Sequence, residues 1–329
     1  MTKKQSRVQS FSDAVVVGVD GHDSTHAALL WAAAEAGRRK TRLVVMTIQE
    51  AYTHDLPFGA GVDEATAIAD ADTDVTARLA AQAARDAVPG LKVSTVRPEG
   101  QAASRLIKAS KSAAMIVLGS HGRHKRAYAA LGTTASTTAM HAKCPVVIVH
   151  PDRSAAHAAG PAHVVVGVDG SRDSSLAIDA AADLAGKDGH VNVVNAWWFS
   201  MAESGSLVGG DVVEEDKIRA RHARGVRNIA AAAQKRHPKV TFTAVSVEGE
   251  AVAALVEQAK EADLLVVGAR GRGGFGGLLL GLQRPQGPGC LPRARRGDPQ
   301  VGIWTRWGGA CAGAAPPPFR QGALTACSV

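Results

Sequence analysis

Residues 15–21 read Val15-Val16-Val17-Gly18-Val19-Asp20-Gly21, and residues 164–170 repeat those letters without a change. The offset is 149. At the same offset Glu99-Gly100 recurs as Glu248-Gly249, and Gly119, Gly122 and Gly132 recur as Gly268, Gly271 and Gly281. Matches that hold one register over most of a chain mark a duplication. A unit this long is a domain, not a solenoid repeat.

Apolar runs alternate with Ala-rich helical segments inside the first copy. The strand candidates are Ala14–Val19, Leu43–Ile48, Val93–Val96, Met115–Leu118 and Val146–Val149. Between them lie the helix candidates Ala27–Arg39, Ala65–Ala87, Ala102–Ser110 and Ala135–Ala142. Strands that are apolar on both faces and separated by helices predict an open parallel sheet covered on both sides. The second copy keeps this rhythm from Val164 through Val267. The expected organisation is a disordered basic N-terminus over 1–13, a first domain over 14–150 and a linker over 151–162. A second, incomplete domain over 163–281 and an aberrant tail over 282–329 follow.

Composition sets the class. Of the 329 residues 46% are hydrophobic and only 4% aromatic, so the core is built from Val, Leu, Ile and Ala. No stretch is long and apolar enough to span a bilayer, and the N-terminus lacks the apolar run of a signal peptide. A cytoplasmic protein with no membrane partner is therefore expected. Cys144, Cys290, Cys311 and Cys327 form no CxxC pair, and Cys144 reads as a core residue. His121, His124 and His141 have no carboxylate or Cys at ligand spacing, so no metal site is expected. The net charge of +8 raises the question of nucleic acid, but residues 282–329 hold six arginines against Asp298 alone. The excess belongs to the tail, and no nucleic-acid partner is expected.

Two features fall where an open parallel sheet binds ligands, beyond the carboxyl ends of its strands. Asp20 ends the first strand, with Asp169 as its counterpart. Its carboxylate suits a ribose or an adenine amino group, and equally a loop or helix cap. The second feature is Gly119-x2-Gly122-x9-Gly132-Thr133. It follows a strand and opens a helix, where glycines let backbone N–H groups approach a phosphate and the helix N-terminus favours an anion. The Thr133 hydroxyl can bond a phosphate oxygen or cap the helix. The alternative is a glycine-containing loop and a capped helix without a ligand. No GK[ST] makes this a Walker A loop, and no GxGxxG is present. The loop residues Arg123, Lys125 and Arg126 read either as extra phosphate cations or as a solvated face.

With the early VVVGVDG strand and the closing Cys144-Pro145-Val146, this glycine spacing resembles the universal stress protein family over about residues 14–281. The resemblance implies two tandem Rossmann-like α/β domains, each an open parallel five-stranded sheet with helices on both faces. It also implies an ATP site made by Asp20, Ile48, Leu118, Gly119, Gly122, Gly132 and Thr133, with Ile48 and Leu118 lining the adenine. The second-copy counterparts are Asp169, Ala196, Val267, Gly268, Gly271 and Gly281. AMP or cyclic AMP are alternative ligands, and Mg²⁺ would accompany ATP. The implied role is a stress-response sensor or adaptor with an unidentified regulatory protein partner, not a turnover enzyme. The alternative is a nucleotide-free scaffold. Pairing through the fifth strand, as a homodimer or between the two copies, is also implied.

The second copy departs from the pattern at one residue. Gly281 is followed by Leu282 where Ser or Thr is required. Residues 282–329 then hold seven of the fourteen prolines and three of the four cysteines. A reading-frame shift explains so abrupt a change; a divergent natural tail is the other reading. Either way the last helix and fifth strand of the second copy are expected to be missing. Its sheet edge should then be open and internal pairing in doubt.

Overall fold

The computed structural model describes residues 11–49, 62–120, 131–150, 162–198, 215–268 and 300–304. The first copy runs β1 (Val15–Gly18), α1 (Asp23–Arg38), β2 (Leu43–Met46), α2 (Val62–Ala87), β3 (Val93–Val96), α3 (Ala102–Ala109), β4 (Met115–Gly119), α4 (Thr133–His141) and β5 (Val146–Val149). The second runs β6 (His163–Gly167), α5 (Arg172–Ala185), β7 (His190–Trp197), α6 (Glu215–Arg236), β8 (Thr241–Glu248), α7 (Ala251–Gln258) and β9 (Leu264–Gly268). The tail adds β10 (Gln300–Trp304). Helices lie on both faces of each half-sheet, as expected for an α/β fold.

β1, β2, β4 and β5 are apolar at nearly every position and buried along their whole length. Such strands need cover on both faces, which is why helices alternate with them. The α1 face that meets the sheet is Ala27, Ala28, Ala32, Ala33 and Ala36 with Leu29 and Trp31, all nearly inaccessible. Small side chains let the helix lie close to the strands. The helix ends at Arg39, whose N–H bonds Glu35 O and Gly37 O, and Lys40 then takes a left-handed φ of 53°.

Both glycines of the repeated heptad have a steric reason. A Cβ on Gly18 would stand 2.7 Å from Leu118 Cδ2, and one on Gly167 would stand 2.9 Å from Leu255 Cδ1. Gly21 and Gly170 turn the chain into the helix with φ of 86° and 77°, a region that side chains rarely adopt.

The strand order is β3-β2-β1-β4-β5-β10-β9-β6-β7-β8, a palindrome of two half-sheets. Every pairing within a half is parallel. At the centre β5 and β10 pair antiparallel, Val147 opposite Gly302. This corrects the expectation of a missing fifth strand, an open edge and doubtful internal pairing. β10 takes the fifth-strand place beside β9, with Leu265 opposite Val301 where the first copy has Ile116 opposite Val146. Two strand edges that each need a partner outweigh the weak local preference of five residues. The stretch 269–299, from which the last helix was expected to be missing, lies outside the described residues. Phe11 packs against the α3–α4 face of the core, so residues 11–13 are not part of a disordered N-terminus. On the opposite face one continuous apolar cluster joins α1 and α2 to α5 and α6 across the seam.

Candidate functional site

From β1 the chain moves outward to β2 and β3, then returns to place β4 on the other side of β1. The strand order therefore reverses between β1 and β4, and a crevice opens beyond their carboxyl ends. Gly18-Val19-Asp20 leaves one strand there and Gly119-Ser120 leaves the other.

Asp20 is half-buried. Its Oδ1 accepts from the His22 N–H at 3.1 Å and lies 3.1 Å from the Thr25 hydroxyl. That hydroxyl also reaches His22 O at 2.7 Å. The carboxylate thus anchors the turn that leads into α1, whose N-cap is His22 without a side-chain cap, and none of the described residues takes its Oδ2. Thr25 is the part of this arrangement that the sequence reading missed. The signal was available: Ser174 holds the same place after Asp169 and makes the same bond, its hydroxyl donating to Ser171 O at 2.9 Å.

Gly132 is brought to the end of β4 by a direct bond. Its N–H donates to Ser120 O at 2.8 Å, while the Ser120 N–H donates to Val149 O at 3.1 Å. The two ends of the connection 121–131 are held together in this way. Gly122 lies outside the described residues. Gly132 is the N-cap of α4, and no side chain caps the helix there. The first intrahelical bond is Ser136 N–H to Gly132 O at 2.9 Å. The N–H groups of Thr133, Thr134 and Ala135 find no acceptor among the described residues, and no acidic side chain sits in the first turn. Thr133 is exposed and does not cap. Gly132 has φ −64° and ψ 153°, open to any residue, so backbone strain does not account for the glycine.

Ile48 is half-buried at the exit of β2, packed on the α3–α4 face of the core. Leu118 is 4% exposed, and its side chain lies against Gly18. It is a core residue that sets the floor of the crevice. Thr47, beside Ile48, is buried with its hydroxyl unpaired.

In the second copy Asp169 Oδ1 accepts from the Ser171 N–H at 2.9 Å, and Ser171 caps α5. Register makes Ala196 the counterpart of Ile48, since Gly18 pairs with Met46 and Gly167 with Val194. Val267 is buried and Gly268 closes β9, while Gly271 and Gly281 lie outside the described residues. Side chains fill this end of the sheet. Asn195 donates to Val168 O at 2.9 Å and meets His222 Nδ1 at 3.1 Å. The His222 ring stacks on Trp197 at 4.8 Å, and Trp197 donates to Ser246 at 3.1 Å.

A helix N-terminus and a half-buried carboxylate thus flank one switch point of an α/β sheet. The profile of the universal stress protein family matches residues 12–150 and again 162–282, and the chain belongs to that family. A universal stress protein of Mycolicibacterium smegmatis is 34% identical over 282 residues, which span 83% of this chain and 93% of its own length. The Mycobacterium tuberculosis universal stress protein Rv2623 is 31% identical over 275 residues, spanning 81% and 90%. The crystal structure of a universal stress protein from Archaeoglobus fulgidus shares the fold at 16% identity, with a TM-score of 0.61 over 90% of this chain and 98% of its own. Among the described residues no helix is long and apolar enough to cross a membrane, and no group of three or more His, Cys, Asp or Glu side chains forms a metal site.

Proposed function

We propose that the first copy binds an adenine nucleotide, ATP in the first instance, and that the chain is a cytoplasmic stress sensor or adaptor. The observation that carries this reading is the uncapped N-terminus of α4, held at the end of β4 by the Gly132–Ser120 bond. Its three N–H groups that find no acceptor among the described residues, and the positive helix end, suit a phosphate. Thr133 would add a hydroxyl, Gly119 and Gly122 would let the backbone approach, and Asp20 Oδ2 would take the ribose or base. Ile48 would line the adenine. Mg²⁺ would arrive with the triphosphate. The second copy, with its strand ends filled by Asn195, His222 and Trp197 and with Leu282 after Gly281, would bind poorly. The motif supplies amides and hydroxyls and no general base, so any hydrolysis would be slow. A regulatory protein partner would read the loaded state.

Titration of the full chain with ATP tests this by calorimetry. One equivalent should bind. Thr133→Ala should weaken binding roughly tenfold, the worth of a hydrogen bond to a charged group. Gly132→Val should abolish binding while the protein stays folded, because valine tolerates that φ and ψ. Asp20→Ala should weaken ATP and AMP alike. A folded chain that binds no adenine nucleotide would instead be a scaffold acting through protein contacts.

A further inference from the structure

Where α1 and α5 meet across the seam, four charged side chains are packed together, three of them out of water and Arg38 at the rim, 37% exposed. Glu35 is 0% exposed. Its carboxylate accepts from Arg38 Nε and Nη2, both at 2.8 Å, and from Arg39 Nε. Arg39 Nη2 then donates to Asp183 on α5, and Arg38 Nη2 lies 3.6 Å from the same carboxylate. The Arg39 and Asp183 side chains are 9% and 7% exposed. Ala32, Ala33, Ala36, Ala181 and Leu184 belong to the apolar cluster that fills this face. A buried ion network adds little stability over apolar side chains of the same size, but breaking one partner out of it is costly. What such a network can supply is discrimination between partners.

The two copies carry different halves of it. Gly37 matches Gly186, and Thr25 matches Ser174 by sequence and by hydrogen bonding. In this register Asp183 corresponds to Ala34, Glu35 to Leu184, Arg38 to Lys187 and Arg39 to Asp188. Two first copies paired through this face would set each Arg39 against Ala34, leaving a guanidinium buried with its own Glu35 alone. Two second copies would bring Asp183 against Lys187 and Asp188, side chains that now stand 74% and 71% exposed. A second copy against a second would give Asp183 one ammonium with the Asp188 carboxylate beside it, whereas a first copy against a second gives it two guanidinium groups.

We propose that Glu35, Arg38, Arg39 and Asp183 form a pairing code by which the first copy selects the second copy of this chain and rejects like-with-like association through the same face. The complementarity is independent of nucleotide. It makes the tandem arrangement more than a tether, because each half presents a surface that its own kind does not fit.

The test uses the full chain, with light scattering over a concentration series and hydrogen exchange at Val146–Val149. Asp183→Arg faces two guanidinium groups with a third. It should speed exchange in that strand tenfold or more and produce larger species as concentration rises. Asp183→Asn should shift both readouts in the same direction by less. Asp179→Ala, one turn earlier on α5 and paired with Arg236 of its own copy, should move neither. The triple variant Glu35→Leu/Arg39→Met/Asp183→Leu separates selectivity from stability. It should keep a thermal midpoint near that of the parent yet form larger species. The proposal is overturned if Asp183→Arg leaves mass and exchange unchanged, or if the apolar triple variant keeps the parent's mass at every concentration.

Discussion

Asp20 shows how one side chain can hold a turn and still face a ligand. Its Oδ1 is tied to the His22 N–H and the Thr25 hydroxyl, which fixes the direction of the other oxygen. Thr25→Val removes one of those donors and keeps the volume. ATP affinity should fall by about threefold to tenfold, the net worth of one hydrogen bond, with the fold unchanged; calorimetry reads it. An affinity equal to that of the parent would mean that Asp20 needs no orienting partner. At Gly18 the constraint is steric. Gly18→Ala drives a Cβ into Leu118 and should lower stability by about 1–3 kcal/mol in urea unfolding. Cys144 is fully buried in the core, as its apolar surroundings in the sequence implied, and burial raises its thiol pKa although a backbone hydrogen bond at Ile116 works the other way. Thiolate is therefore scarce, and peptide mapping should find Cys144 unmodified after iodoacetamide treatment of the native protein at about pH 8. The turn at Asp20-Gly21 was legible because a backbone turn demands particular residues, and Gly21 takes a φ of 86°. Thr25 was not, because one hydroxyl on a helix has several ordinary uses.

At the scale of elements, α5 and α6 are joined by Asp179, which accepts from Arg236 Nη2 at 2.8 Å and meets His237 Nε2 at 2.8 Å. Burial pushes the Asp179 carboxyl up, but the His237 and Arg236 hydrogen bonds and charges pull it below its ordinary value. A carboxyl depressed in the folded state adds stability above its unfolded pKa and loses it as the pH falls through the folded one. Asp179→Asn should therefore cost stability at neutral pH, and the difference from the parent should shrink below about pH 4, where an unfolded Asp protonates. Urea midpoints across pH would show this, and a pH-independent difference would refute the electrostatic account. Most elements were legible because a buried strand and an Ala-rich helix differ in period. Val93–Val96 and Val146–Val149 fall where the sequence places them, while α1 begins at Asp23 and α4 at Thr133, ahead of the first alanines. Those first turns are polar in sequence, and an apolar pattern cannot see them. β10 was illegible for the opposite reason. Val301, Ile303 and Trp304 favour a strand, but a run of only five residues broken by Gly302 carries little signal by itself, and its partners supply the order.

For the molecule as a whole, β10 decides whether there are two half-sheets or one. It lies between β5 and β9, with Gly302 opposite Val147 on one side and Val266 on the other. Without it both strands would present unpaired edges, and the apolar cluster across the seam with the α1–α5 charge network would be left to hold the copies together. A proline in a central strand removes an N–H from the ladder and forces its ring against the neighbouring chain. Gly302→Pro should therefore expel β10 while leaving the composition of both cores untouched. Hydrogen exchange should accelerate at Val146–Val149 and at Leu264–Gly268, the two strands that lose a partner. Val15–Gly18 and Leu43–Met46 should keep their protection, because β1 sits between β2 and β4, and β2 between β1 and β3, whatever happens at the seam. Exposed edges should also make the variant associate at concentrations where the parent does not. If β5 and β9 exchange as slowly in Gly302→Pro as in the parent, the tail strand does not close the sheet. The second copy would then end at β9, as the departure from the repeat after Gly281 first implied.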